Sequence, residues 1–455
     1  MPVPSKKQSC DICGIINSMK LSRTQTIIVA IVGVIILAGI LIFLGIIPGL
    51  RQEVANQNDK LTGDLVVWGV FDSETAVSKT LIADFKARHP NVNISYRSLD
   101  ARTYEDDLIN ALAAGSGPDV FMVKNTWLPK HYNKLDPRDP KEFTVVNFAD
   151  LYPQVATKDF VREGKVYAMP LYIDTLATIY NKALFDAAGI AQPPRSWEEF
   201  AQIIPELRKL DESGRITQAA AAIGGSNKNI NEANDLLFQM MLQYGVEMTN
   251  DGLSSATFAN GGQGPLDFYL SFANSRSTNY TWDRGFHYSI DGFAEESVAM
   301  IFNYGYQLEQ LKEKNPFLQI GVAPMLQPKN IDRPITYASY FGLGVSATSQ
   351  NKTVGWTFVD ESTAGDGATN AKYLNEAHRS PALRSLIAAS TNDSQVGVFA
   401  KQALMATSWP QVDSTAINVA FAGMLESIVT GQLTSQRGLQ QAEDQVTQIM
   451  QRSEN

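Results

Sequence analysis

LVVWGV, residues 65–70, opens a pattern that decides the fold class. Six apolar positions of this length read as a strand buried on both faces. Val77, Leu81, Ile82 and Phe85 then fall at helical spacing, and His89-Pro90-Asn91 ends that helix. Val92-Asn93-Ile94-Ser95-Tyr96 alternates as a second strand. Leu108, Ile109, Ala111 and Leu112 mark a second helix, closed by Gly115-Ser116-Gly117-Pro118. Val120-Phe121-Met122-Val123 is a third strand. Strand, helix, strand, helix, strand at this spacing predicts an α/β domain with a parallel sheet.

The same style continues downstream. Ser196-Trp197-Glu198-Glu199 has the form of a capping box, with Ser at the cap and Glu three residues on. It opens a helix with Phe200, Ile203, Ile204 and Leu207 on its apolar face and a kink expected at Pro205. Buried strands are expected over 318–323 and 342–345. Leu439, Ala442, Val446 and Ile449 predict a last amphipathic helix. No short repeat or low-complexity block interrupts the chain.

The N-terminal sixty residues have a different character. Ile27 to Ile47 is an uninterrupted apolar run, and about 20 such residues span a hydrocarbon core of roughly 30 Å. Lys6, Lys7, Lys20 and Arg23 precede it against Asp11, so the N-terminus is expected inside and the bulk of the chain outside. A cleaved signal peptide is the rival reading. Its apolar stretch is shorter and ends in a small-x-small site, whereas this run ends in Ile46-Ile47-Pro48-Gly49-Leu50. The expected organisation is a cytoplasmic tail over 1–26, an anchor over 27–47 and a polar linker over 48–60.

Charge and cysteine usage narrow the function. The chain has 38 basic and 47 acidic residues; the first sixty hold six and three, leaving 32 against 44 beyond them. Such a surface does not hold nucleic acid by phosphate electrostatics. Cys10 and Cys13 both precede the apolar run, so no disulfide is expected in the large part. Their spacing is half of a zinc or redox motif, but the short tail offers no second pair of ligands. Palmitoylation, or no role, is the expectation.

Enzyme motifs are scarce. No Gly-x-Ser-x-Gly elbow, Walker loop or His-Glu-x-x-His occurs, and His89, His131, His287 and His378 are scattered. Asp72 and Asp174 are the candidates for a glycosidase carboxylate pair. In α/β sheets ligands bind beyond the carboxyl ends of strands. There the first strand is followed by Phe71-Asp72-Ser73 and the third by Lys124-Asn125-Thr126-Trp127. Aromatic planes beside Asp, Asn and Lys complement a sugar, whose C–H faces are ringed by hydroxyls. Lys124, Lys228 and Arg97 keep an anionic ligand open.

The most specific stretch is Gly164-Lys165-Val166-Tyr167-Ala168-Met169-Pro170, running on through Asp174-Thr175-Leu176 to Ile179-Tyr180-Asn181-Lys182-Ala183-Leu184-Phe185. Ala188-Gly189-Ile190, Pro193-Pro194 and Ser196-Trp197-Glu198-Glu199 follow it. Ala113-Ala114-Gly115, Pro118-Asp119-Val120, Val298-Ala299-Met300 and Ile320-Gly321-Val322-Ala323-Pro324 keep the same order. Together they resemble the extracellular solute-binding proteins of ABC importers, in the family that includes maltose-binding protein.

The resemblance implies a two-lobed periplasmic-binding-protein-like fold with an interlobe cleft that closes by hinge motion. Lobe 1 would comprise 61–171 and 323–366, and lobe 2 would comprise 175–320 and 368–455. Hinges would lie near Leu171 to Asp174, Gly321-Val322 and Gly365 to Gly367. It carries a ligand role onto Phe71, Asp72, Lys124, Asn125, Trp127, Tyr172, Asp174, Tyr304, Tyr306, Tyr340 and Trp409. Val123 stands where maltose-binding protein has a Trp, so the aromatic wall is rearranged. The expected partners are a sugar and an ABC permease, with no cofactor and no metal. A sensor, or a carbohydrate-active enzyme on a similar cleft, are the alternatives.

Overall fold

The computed structural model describes residues 61–70 and 74–453. The expected tail, apolar anchor, linker and both cysteines lie outside the described residues, as do Phe71 and Asp72. Among the described residues no helix is long and apolar enough to cross a membrane.

Eight strands carry the two main sheets. They are β1 (Gly63–Val70), β2 (Val92–Leu99), β3 (Val120–Lys124), β4 (Met169–Pro170), β5 (Ala177–Asn181), β6 (Met300–Asn303), β7 (Ile320–Ala323) and β8 (Phe341–Val345). The first sheet runs in the order β2-β1-β3-β8-β4, the second β6-β5-β7. β1 pairs in parallel with β2 and β3, as the helical crossovers dictate. The sheet is nevertheless mixed, because β8 lies antiparallel to both β3 and β4. β8 returns from the other half of the molecule rather than from a local crossover, so the handed parallel rule does not bind it. The second sheet is wholly antiparallel.

Two glycines let β8 enter. A Cβ on Gly342 would stand 2.6 Å from the Met169 carbonyl oxygen, and one on Gly344 would stand 2.5 Å from the Leu135 side chain. At position 342 only glycine admits so close an approach to the neighbouring backbone, whereas at 344 a larger residue would require the Leu135 side chain to move.

Each sheet has its own core. Val67, Phe85, Leu108, Phe121, Phe148, Phe160, Leu343 and Phe358 are buried in the first. Ile179, Trp197, Phe200, Phe238, Phe302 and Phe421 are buried in the second. Burying one such side chain contributes roughly 1.5–3 kcal/mol, so each sheet is held by its own apolar cluster.

Five helices matter below: α1 (Tyr104–Ala113), α2 (Trp197–Leu207), α3 (Ala233–Gln243), α4 (Ser414–Val429) and α5 (Ser435–Ser453). At the start of α2, Ser196 Oγ accepts from the Glu199 N–H at 3.1 Å. The Glu199 carboxylate reaches back to the Arg195 N–H, one residue before the cap. α2 ends two residues after Pro205. In α5 the buried positions are Leu439, Ala442, Val446 and Met450; Ile449 is only partly covered.

The chain passes between lobes where core membership changes. It leaves the first core at Ile173 and enters the second at Leu176, and it returns between Tyr337 and Ala338. It crosses again between Ala403 and Trp409. The crossings are stitched together: Thr175 bridges to Ala338, and Thr336 and Tyr337 pair with Ala406 and Thr407. Gly321 and Val322 sit inside the second sheet opposite Tyr180 and Ile179. Gly365 to Gly367 join two helices whose Phe358 and Tyr373 both pack in the first core. Residues after 368 therefore do not all belong with the second lobe: Tyr373, Leu374, Leu383 and Ile387 pack with the first.

Candidate binding cleft

A cavity of about 390 Å³ lies where the lobes meet. Lys124, at the carboxyl end of β3, and Trp127 enter it from the first lobe. Tyr172 and Asp174 enter from the first crossing, and Tyr304 and Tyr306 from the turn after β6. The structure thus brings together six of the residues expected from sequence.

The first-lobe wall is aromatic. Trp127 stacks on Tyr104 with ring centroids 5.7 Å apart and meets Phe341 edge-on at 6.2 Å. Tyr104 is fixed in turn, its hydroxyl donating to the Met122 carbonyl at 2.9 Å. Arg379 lies 4.9 Å over the Tyr172 ring, a cation–π contact.

The second-lobe wall is a pair of tyrosines. Tyr304 and Tyr306 stack at 6.1 Å with their planes 19° apart. Each hydroxyl donates to a carboxylate: Tyr304 to Asp235 Oδ2 at 2.6 Å, and Tyr306 to Glu232 Oε1 at 2.8 Å. These bonds fix both rings. Glu232 has φ 57°, left-handed backbone rare for a residue with a Cβ, immediately before α3. Such local strain is characteristic of functional sites.

Asp174 has a different occupation from the one expected. Its Oδ1 accepts from the Thr175 N–H at 2.9 Å and the Gly305 N–H at 3.0 Å, and its Oδ2 from the Tyr306 N–H at 3.3 Å. It ties the tyrosine turn to the crossing segment. Burial raises its pKa to about 6 despite these donors and Arg379.

Three expected residues stand behind the cavity rather than on it. Asn125 and Tyr340 are 2% and 1% exposed, and both donate to Asp159 Oδ2, at 3.0 and 2.7 Å. Asp159 also accepts from Ser408 Oγ. The cluster joins the third strand's end to the third crossing. Trp409 is buried edge-on against Phe238 at 5.3 Å. Their polar and aromatic character serves packing between elements. Of the other cations considered, Lys228 pairs with Glu426 at 3.0 Å and Arg97 lies over Trp68 at 5.2 Å.

Sequence reasoning missed Glu232, Asn234 and Asp235, which also line the cavity. They enter from the first turn of a second-lobe helix, where the strand-end rule does not look. The one available signal was the largely polar run Asn227 to Asp235, which leads into the apolar stretch of α3. Arg102, Glu105, Ser414 and Thr415 at the rim were missed as well.

A family model described as bacterial extracellular solute-binding protein matches residues 72–364. A putative binding protein of Brucella abortus (strain 2308) is 22% identical over 291 residues, covering 61% of this chain and 66% of that protein. The chain thus spans just under two thirds of the length of that relative. A maltotriose-binding protein of Pyrococcus abyssi is 27% identical over 146 residues, 31% of this chain and 30% of that one. The sugar-binding protein MalE from Xanthomonas citri superposes with a TM-score of 0.72 at 21% identity, over 86% of this chain and 98% of that chain. That likeness shows a shared fold.

Proposed function

The chain belongs to the bacterial extracellular solute-binding proteins, and we propose that it captures a carbohydrate between its lobes and delivers it to the permease of an ABC importer. The observation that carries this reading is the pairing of aromatic walls across one cavity. Trp127 and Tyr172 stand on one side, and the stacked Tyr304 and Tyr306 on the other. Flat apolar faces with carboxylate, amide and ammonium groups between them match the C–H faces and hydroxyl edges of a sugar. Relatives named for maltotriose or sugar binding support the substrate class.

The apolar run 27–47 is read as a membrane anchor, with the N-terminus cytoplasmic and the lobes outside the cell. Tethering keeps the loaded receptor beside its permease and makes docking effectively intramolecular. No chemistry on the ligand is required for this role.

The test is a thermal-shift screen of the full-length chain in mild detergent against saccharides, polyols, peptides and phosphorylated solutes. A bound ligand at about 100 times its Kd adds roughly 2.7 kcal/mol of stability. A saccharide hit recovered unchanged supports capture. A hit that is consumed identifies an enzyme instead, and a peptide or phosphate hit with silent saccharides rejects the carbohydrate reading.

A further inference from the structure

One turn of the second-lobe wall presents acceptors almost exclusively. Glu232, Asn234 and Asp235 line the cavity within four consecutive residues. Each carboxylate has one oxygen committed to a tyrosine hydroxyl. Asn234 is 2% exposed; its Nδ2 donates to the Asn418 carbonyl at 2.9 Å, while its Oδ1 has no hydrogen-bond partner. A buried acceptor left unpaired is costly, and here it sits beside two buried carboxylates.

The charges lining the cavity do not balance at this turn. Arg102 is held by Asp100 at 2.6 Å, Glu105 by Lys130 at 2.9 Å, and Asp174 by three backbone N–H groups, while Arg379 lies over Tyr172 and acts on Asp174. What faces Glu232 and Asp235 is Lys124 from the first lobe, with the phenols of Tyr288, Tyr304, Tyr306 and Tyr337. Lys124 acts on both carboxylates and favours their charged forms. Burial, then repulsion from Asp235, pushes Glu232 up to about 7. Two buried carboxyl groups thus share one ammonium among the described residues.

Resting on the carbohydrate reading, we infer that the captured saccharide carries a primary amine, seated as an ammonium among Glu232, Asp235 and Asn234. An ammonium offers three N–H donors to three acceptor groups, and its charge offsets the second carboxylate. The tyrosine rings hold the sugar face while the acidic turn selects the amino substituent. A neutral hydroxyl at that position supplies one donor and leaves the charge uncompensated.

The experiment is calorimetric titration of the full-length protein at pH 7 with matched sugars. The pairs are glucosamine and glucose, galactosamine and galactose, and the β-1,4 glucosamine disaccharide with its N-acetylated and all-hydroxyl counterparts. The expected result is that an amine-bearing member binds roughly ten-fold or more tightly than its matched neutral member. Glu232→Gln should erase that preference, bringing the amine-bearing member down to the affinity of its matched neutral member in the same variant, and Asp235→Asn should do the same if one substitution perturbs folding. Neutral members binding as tightly as their amines, or the preference surviving both substitutions, overturns the inference and leaves carbohydrate capture standing. Silence from every saccharide overturns both readings together.

Discussion

Lys130 of the first lobe holds Asp413 of the second at 2.8 Å, directly across the mouth of the cleft. The same ammonium bonds Glu105 at 2.9 Å, and Glu105 accepts from Thr415 Oγ1 of the second lobe at 3.0 Å. His131 Nε2 lies 2.8 Å from Glu105 as well. The cluster joins the lobes at the rim of the cavity that Glu105 and Thr415 line.

Lys130→Met should therefore favour the open form. The side chain is partly exposed, so the pair contributes about 1 kcal/mol or less, and ligand affinity should fall by no more than several-fold. Small-angle scattering of the unliganded variant should give a larger radius of gyration than wild type. Asp413→Asn should act the same way without unfolding α4, because Asn can still cap the helix as Asp413 does at the Ala416 N–H. Unchanged scattering in both variants would refute a closing role.

Trp127→Ala should cost about 3–5 kcal/mol, since it opens a void between Tyr104, His131 and Phe341. Trp127→Phe should recover most of the stability but less of the ligand affinity. Denaturant unfolding beside titration separates the two effects. Equal loss of both quantities in the two variants would make Trp127 a packing residue only.

Tyr306→Phe keeps the ring stacked on Tyr304 and removes the hydroxyl that orients Glu232. A hydrogen bond to a charged group is worth about 1.5–3 kcal/mol, part of which should appear as weaker ligand binding. Tyr306→Ala should weaken binding further by removing the ring. Identical affinities for the two variants would mean that the ring face contributes nothing.

Asp159 and Asp174 titrate upward through burial, each to about 6 from an ordinary 3.8. The folded protein holds these protons more tightly than the unfolded chain does. Their contribution to stability is present below about pH 4 and is lost as pH rises through 6. Glu105 behaves oppositely: burial would raise it, but bonds from His131 and Lys130 outweigh burial and bring it to about 2. Its contribution is present above the ordinary value near 4.5 and is lost as pH falls toward 2. The melting temperature should therefore rise by a few degrees from pH 7.5 to about 5 and fall again below about 4. Asp174→Asn should reduce the rise, and a melting temperature that climbs steadily from pH 5 to 8 would contradict this assignment.

Much of the first lobe was legible in sequence because its pattern is local. Strands buried on both faces, helical spacing and turn residues lie next to one another from Gly63 to Lys124. The antiparallel entry of β8 was not, because nothing in Phe341 to Val345 encodes that it meets Met169 and Pro170, 172 to 174 residues away in sequence. The third crossing was missed for the same reason: its parallel pairing of Tyr337 with Thr407 is two residues long. In the cleft, residues after strands or in aromatic pairs were found. Asn125, Tyr340 and Trp409 carry the same chemistry but are turned into packing between neighbouring elements, a distinction made by tertiary contacts alone. Glu232 and Asp235 were hidden because they reach the cavity from a helix start.

Calorimetric titration of the wild-type chain and of Trp127→Ala and Tyr306→Ala with a saccharide panel tests the central claim most directly. The account predicts at least one saccharide that binds with a single site, is recovered unchanged, and loses more than roughly ten-fold in affinity in either variant. A saccharide whose affinity is untouched by both substitutions, or a cleft that takes only non-carbohydrate solutes, would contradict it.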